Sequence, residues 1–274
     1  MRPVERKLVA PNPTMSPPSS KMRRLGVSAA DLVTMANAVC GFLAIAVAAR
    51  LWTGDTSGGR RLTDHAVVLA GGLIVFGALL DSVDGAVARW RGGSALGEHL
   101  ELMSDVVTFG LAPSILFAVD GASYSAPWPR ISLAVAAGYA VAVLLRLARY
   151  ASAAVEGEKP ALVGLPSPPS AMAAVSLVVL HLPAPLALAG MALLSVLMIA
   201  SFPFPRIVTA TAPLMTGWWG LAGVAAVGLI PTWPVAAFTL VAISGLLLGV
   251  PLRRARLGRG ARTSVDEQDR LAPD

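Results

Sequence analysis

Within residues 81–113, DSVDGAVARWRGGSALGEHLELMSDVVTFGLAP, four of the carboxylates, Asp81, Asp84, Glu101 and Asp105, interrupt otherwise apolar runs. At 3.6 residues per turn, Asp81, Asp84, Gly85 and Ala88 share one stripe of a helix. Gly97, Glu101, Asp105 and Thr108 share one stripe of the next. Residues 89–94 form a short polar turn, so the two helices are expected to return antiparallel with their acidic stripes facing. Carboxylates gathered at a membrane edge repel one another and resist desolvation; they either take up protons or bind a hard cation. A divalent site built from oxygen ligands answers both demands, and Gly85 and Ala88 leave room beside it for something bulky.

The elements that must position these acids are membrane helices. Of 274 residues, 55% are hydrophobic and only 14% charged, against about 25% charged in an ordinary globular domain; mean hydropathy is +0.67. Long apolar windows recur along the chain, which predicts an all-α, polytopic integral membrane bundle of about eight transmembrane helices with a six-helix catalytic core. The spans are expected at about 29–51, 65–90, 95–119, 131–150, a fifth ending near 182, a sixth ending near 202, then 207–230 and 233–251. The fifth and sixth are short for a full crossing. Residues 1–24, rich in Pro, Ser, Arg and Lys, are expected to be a disordered basic tail and not a secretory signal, and 253–274 a charged tail. The domain division expected is thus 1–24, a catalytic core over 25–206, two further helices over 207–252, and the tail.

Charge sets orientation. Arg89, Arg91, Arg146, Arg149, Lys159 and Arg206 fall in alternate loops on the side of both basic tails, while the opposite loops carry Asp55, Arg60, Arg61, Asp64, Asp120 and Arg130. The positive-inside rule then places both termini and the acidic turn in the cytoplasm of a cell-membrane protein. A net charge of +6 distributed this way argues against a nucleic-acid partner. Arg91 reads as interfacial snorkelling. Arg146 and Arg149, at i and i+3 where the fourth span turns polar, are candidates for holding phosphate or carboxylate. His65, His99 and His181 lack ligand spacing, and the single cysteine, Cys40, excludes an intrachain disulfide. Gly41, Gly71, Gly72 and Gly77 are expected to serve close helix packing.

The run Asp81-xx-Asp84-Gly85-xx-Ala88-Arg89 … Gly97-xxx-Glu101-xxx-Asp105 closely resembles the signature of the CDP-alcohol phosphatidyltransferases, D-xx-DG-xx-AR-x8-G-xxx-D-xxx-D. Within that family the chain looks most like the bacterial phosphatidylserine synthases. The residues that carry this likeness are Asn37-xx-Cys40-Gly41-Phe42, residues 104–113 (SDVVTFGLAP), Arg146-Leu147-Ala148-Arg149-Tyr150 and Gly164-Leu165-Pro166-Ser167-Pro168. The resemblance covers about residues 28–206. It departs from the pattern twice: seven residues, not eight, separate Arg89 from Gly97, and the third acid is Glu101 where the pattern has aspartate.

The resemblance implies two divalent cations, Mg2+ or Mn2+, held by Asp81, Asp84, Glu101 and Asp105 against the diphosphate of CDP-diacylglycerol. It implies that the CDP moiety lies against Gly85 and Ala88 with Arg89 at a phosphate, that Asp105 is the general base, and that L-serine is the acceptor, with Arg146 or Arg149 at its carboxylate. The products would be phosphatidylserine and CMP, and the protein a homodimer in contact with membrane lipid. The alternatives are the same chemistry with glycerol phosphate, inositol phosphate or choline as acceptor and, from another class, an ion or proton transporter that uses the four acids. Transporters place such groups near the midplane on repeated, broken helices, and the sequence has no internal repeat.

Overall fold

The computed structural model describes residues 28–53, 64–91, 94, 96–155, 164–200 and 239. The expected tails and the seventh and eighth spans lie outside the described residues, apart from the isolated Thr239. Among the described residues the extended elements are all helices: α1 (Ala29–Thr53), α2 (Asp64–Arg91), α3 (Gly97–Asp105), α4 (Ala112–Gly121), α5 (Trp128–Val155), α6 (Ser167–Val179) and α7 (Ala184–Ile199). A π-helical segment, Val106–Leu111, joins α3 to α4, so the third span runs unbroken from Gly97 to Gly121. Among the described residues, four helices are long and apolar enough to cross a bilayer: Ala29–Leu51, Ala66–Trp90, Gly97–Gly121 and Trp128–Ser152. At 1.5 Å per residue α6 and α7 reach only about 20 and 24 Å, short of a hydrocarbon core of about 30 Å. The sequence already marked these two as short; the structure makes them shorter still.

In lipid the outside of a bundle is as apolar as its core, so apolarity cannot decide which face packs. Leu32, Phe42, Phe76, Leu133 and Leu193 are accordingly exposed, while Ile74, Phe109, Leu116, Phe117 and Tyr139 form the fully buried centre. Small residues decide the close approaches. Gly71 of α2 meets Val175 of α6, and Gly41 of α1 meets the backbone of Thr108, as expected of packing glycines. Several hydroxyls return to the preceding turn of their own helix: Ser82 to Ala78 O (3.0 Å), Ser114 to Gly110 O (2.6 Å) and Ser176 to Met172 O (2.7 Å), which satisfies these donors within the helix.

The acid-bearing helices face each other without close packing: α1 packs extensively on α2 and also on α3, and α2 and α3 touch each other very little. Small residues along α1, Ala44 and Ala48 among them, are fully buried, so α1 fits closely behind the splayed pair. The space left between α2 and α3 at one membrane face is where the carboxylates lie.

Candidate active site

The first turn of α1 is closed by a reciprocal cap: the Ser28 N–H donates to Asp31 Oδ2 (2.7 Å) and the Asp31 N–H to Ser28 Oγ (3.2 Å). The first turn of α3 is seated by Ser94, whose Oγ accepts from the N–H groups of Gly97 (2.8 Å) and Leu96 (3.2 Å). Asp31 and Gly97 then meet closely, since a Cβ on Gly97 would lie 2.7 Å from Asp31 Oδ1. A side chain there would have to displace the Asp31 carboxylate, which accounts for glycine as the first residue of the α3 stripe.

α1 also fixes both acid-bearing helices through hydrogen bonds. Thr34 Oγ1 donates to Asp84 Oδ2 of α2 (2.6 Å). Ser104 Oγ of α3 donates to Thr34 O (3.0 Å), and Thr108 Oγ1 donates to Asn37 O (2.9 Å). The π segment makes the last contact. It begins directly after Asp105, and its extra residue per turn is closed by the Ala112 N–H bonding back to Val107 O. Thr108 therefore does not simply continue the acidic stripe. Its methyl packs toward Gly77 of α2 while its hydroxyl turns to α1. The carbonyl of Phe109, within the same segment, accepts from Tyr139 Oη of α5 (3.3 Å).

The four predicted carboxylates come together at one face, in two levels. Asp84, 3% exposed, and Glu101, exposed on the rim, line a cleft of about 200 Å³ together with Asp31, Thr34, Gly85 and Ala88. One turn deeper, the side chains of Asp81 and Asp105 meet across the gap between α2 and α3. Asp105 is 9% exposed, and its Oδ1 is buried without a hydrogen-bond partner. All the donors are hard oxygens, the kind that Mg2+ or Mn2+ takes, and an orphaned carboxylate oxygen is a coordination position unspent on the protein. The donor set fits divalent cations. As the side chains stand, no three among the described residues surround a common point: Asp84 is turned to Thr34 and Glu101 stays at the rim.

Of the residues expected at the nucleotide, Gly85 and Ala88 line the cleft. Arg89 is exposed and folds back over Gly85, its Nη1 3.4 Å from where a Cβ would stand. A cleft of this size takes a base or a sugar, not a whole lipid nucleotide. The two arginines of α5 separate. Arg149 is exposed and donates from Nη1 to Ile199 O (2.8 Å), the last carbonyl of α7; it holds a helix end in place. Arg146 is half-buried and points inward, its Nη1 3.4 Å from Ser167 Oγ. His99 is exposed on the surface.

Sequence reasoning missed Asp31 and Thr34 and gave Asn37 no structural role. A signal was present: Ser28-xx-Asp31 is a capping pattern, and Asp31, Thr34 and Asn37 recur every third residue inside an apolar run.

The fold and site define a helical integral membrane protein with a polyanionic centre at one face, beside a cleft floored by small residues. The chain belongs to the CDP-alcohol phosphatidyltransferase family, whose model matches residues 27–204. Over 177 residues it is 33% identical to the CDP-diacylglycerol–serine O-phosphatidyltransferase of Bacillus subtilis, covering 64% of this chain and 88% of that protein. It is 35% identical over 130 residues to the protein of the same name from Mycobacterium leprae, covering 45% of this chain and 42% of that protein, and so spans under half of that relative's length. The archaetidylserine synthase of Methanothermobacter thermautotrophicus is 31% identical over 183 residues, 65% of this chain and 69% of that protein.

Proposed function

We propose that this protein transfers the phosphatidyl group of CDP-diacylglycerol to the hydroxyl of L-serine, giving phosphatidylserine and CMP. The observation that carries the reading is the meeting of Asp81 and Asp105 beneath a cleft lined by Asp84, Glu101, Gly85 and Ala88, in a family whose similar members bear serine-transferase names. The nucleotide end of the donor lies in the cleft against Gly85 and Ala88, with Arg89 at its phosphates. The acyl chains stay in the bilayer beside the splayed α2 and α3. When bound, Mg2+ or Mn2+, two ions held by Asp81, Asp84, Glu101 and Asp105, supplies positive charge against the diphosphate.

Asp105 takes the proton of the serine hydroxyl as that oxygen forms its bond to the phosphatidyl phosphorus. The bond from that phosphorus to the CMP oxygen breaks, and CMP leaves with the electron pair. Asp105 is suited to this by place. It is held in register by Ser104 on one side and the π segment on the other, and so works through position. Thr34 keeps Asp84 oriented toward the cleft. The charge pattern of the loops supports a cytoplasmic opening for the site, where CMP is released.

The test is CMP release by purified protein given CDP-diacylglycerol, L-serine and Mn2+. Release that depends on serine supports the reading. Release only with glycerol phosphate, inositol phosphate or choline would reassign the acceptor. Ion flux in liposomes without any CMP release would replace it with transport.

A further inference from the structure

The third span changes register directly after Asp105, and the cause stands further along the same span, at Pro113, the second residue of α4. Proline has no N–H, and its ring crowds the carbonyl four residues back. That carbonyl belongs to Phe109, within the π-helical segment Val106–Leu111. In a continuous α-helix residue 113 would donate to it; here the Tyr139 hydroxyl of α5 donates instead (3.3 Å). Tyr139 has no exposure, and a buried phenol has one donor to place. In lipid no water takes up a carbonyl that a helix gives up. The freed carbonyl and the buried phenol therefore complete each other.

The surroundings bring the two together. Val143, one turn beyond Tyr139 on α5 and equally buried, meets Gly110, where a Cβ would stand 3.3 Å from Val143 Cγ1. Ser114 Oγ donates to Gly110 O (2.6 Å), and Thr108 Oγ1 donates to Asn37 O on α1 (2.9 Å). Proline alone kinks or ends a helix. Hydrogen bonds to α1 on one side and from α5 on the other convert that break into a π turn, with its extra residue. One extra residue turns everything before it by about 100° relative to a straight continuation of α4. Asp105 is the residue directly before the segment, and in this register it meets Asp81 across the gap.

We propose that Pro113 and Tyr139 are positioning residues of the transfer reaction: the proline frees the Phe109 carbonyl, the tyrosine holds it, and the register so fixed turns Asp105 toward Asp81. The proposal rests on the reaction above and adds to it two buried residues that lie outside the cleft.

The test is a double-mutant cycle on the purified full-length protein in detergent. Melting temperature is read without substrate, and kcat and KM come from CMP release with CDP-diacylglycerol, L-serine and Mn2+. Pro113→Ala gives residue 113 an N–H, so the helix can take back the Phe109 carbonyl and close to α-register. It is expected to melt at or above the wild-type temperature yet to lose about ten- to a hundred-fold in kcat, because Asp105 turns away from Asp81. Tyr139→Phe keeps the ring and removes only the donor. It is expected to melt lower and to lose about tenfold in kcat, with KM for serine within about twofold. In the Pro113→Ala background, Tyr139→Phe is expected to cost neither melting temperature nor rate. Residues that merely support the bundle would instead give rate losses that follow the melting temperature and add. Pro113→Ala folded and turning over within about twofold of the wild type overturns the proposal, as does an equal Tyr139→Phe loss in both backgrounds. Where Pro113→Ala does not fold, Tyr139→Phe decides alone: a lower kcat at unchanged KM upholds the positioning role, and full kcat overturns it. No CMP release from the wild type with any alcohol acceptor overturns the transfer reaction and the positioning role with it.

Discussion

Gly41→Ala is the sharpest probe of how α1 sets the position of Asp105, the proposed base. A Cβ at residue 41 would stand 2.5 Å from Thr108 Oγ1, 2.7 Å from its Cα and 2.9 Å from its N. Two of those three atoms are backbone and cannot rotate away. Carbon–carbon contact begins at about 3.5 Å, so α1 and the π segment must separate by about 0.8 Å. Overpacking of this kind costs about 1–3 kcal/mol, with the upper end expected against backbone; the better helix propensity of alanine returns about 1 kcal/mol. The net expectation is a loss of about 2 kcal/mol, read as a lower melting temperature in detergent. Thr108 lies one turn from Asp105, and a misplacement of about 1 Å costs roughly a hundred-fold in rate; CMP release should fall between about ten- and a hundred-fold. Gly138→Ala is the control. Nothing lies within 4 Å of its Cβ position, so alanine should stabilise α5 by about 0.5–1 kcal/mol and leave the rate unchanged. If Gly41→Ala melts with the wild type and turns over within about twofold of it, α1 does not hold Asp105 in register and the argument fails.

Asp105→Asn should keep the fold and reduce CMP release by about 10²–10⁴-fold, the usual contribution of a positioned base; a variant at full rate assigns the base elsewhere. Thr34→Val removes the hydroxyl 2.6 Å from Asp84 Oδ2, leaving a buried carboxylate short of a partner. A stability loss of roughly 1–3 kcal/mol is expected, with a higher Mn2+ concentration needed for half-maximal rate, and an unmoved metal titration would separate Thr34 from the acids. Chelation with EDTA should abolish CMP release and excess Mg2+ or Mn2+ restore it; full activity in EDTA would remove the cations from the mechanism.

The sequence by itself determined the helices of the described region and the acids they carry. Apolar runs that must close their own backbone hydrogen bonds in lipid have one solution, so α1, α2, the third span and α5 were legible from composition and length. The 3.6-residue period was enough to put Asp81 with Asp84 and Glu101 with Asp105, because those pairs are local. What only the tertiary structure decided is non-local. Thr34 meets Asp84 across 50 residues, Ser104 meets Thr34 across 70, and Thr108 meets Asn37 across 71; no periodicity carries such pairings, and in lipid both faces of α1 are apolar enough to hide which one packs. The π segment was equally out of reach, since its extra residue per turn answers the contacts that Thr108 and Phe109 make with other helices. The division between Arg146 and Arg149 came from α6 and α7: two arginines one turn apart read alike in the chain, and only the carbonyl of Ile199 and the buried serines of α6 tell them apart.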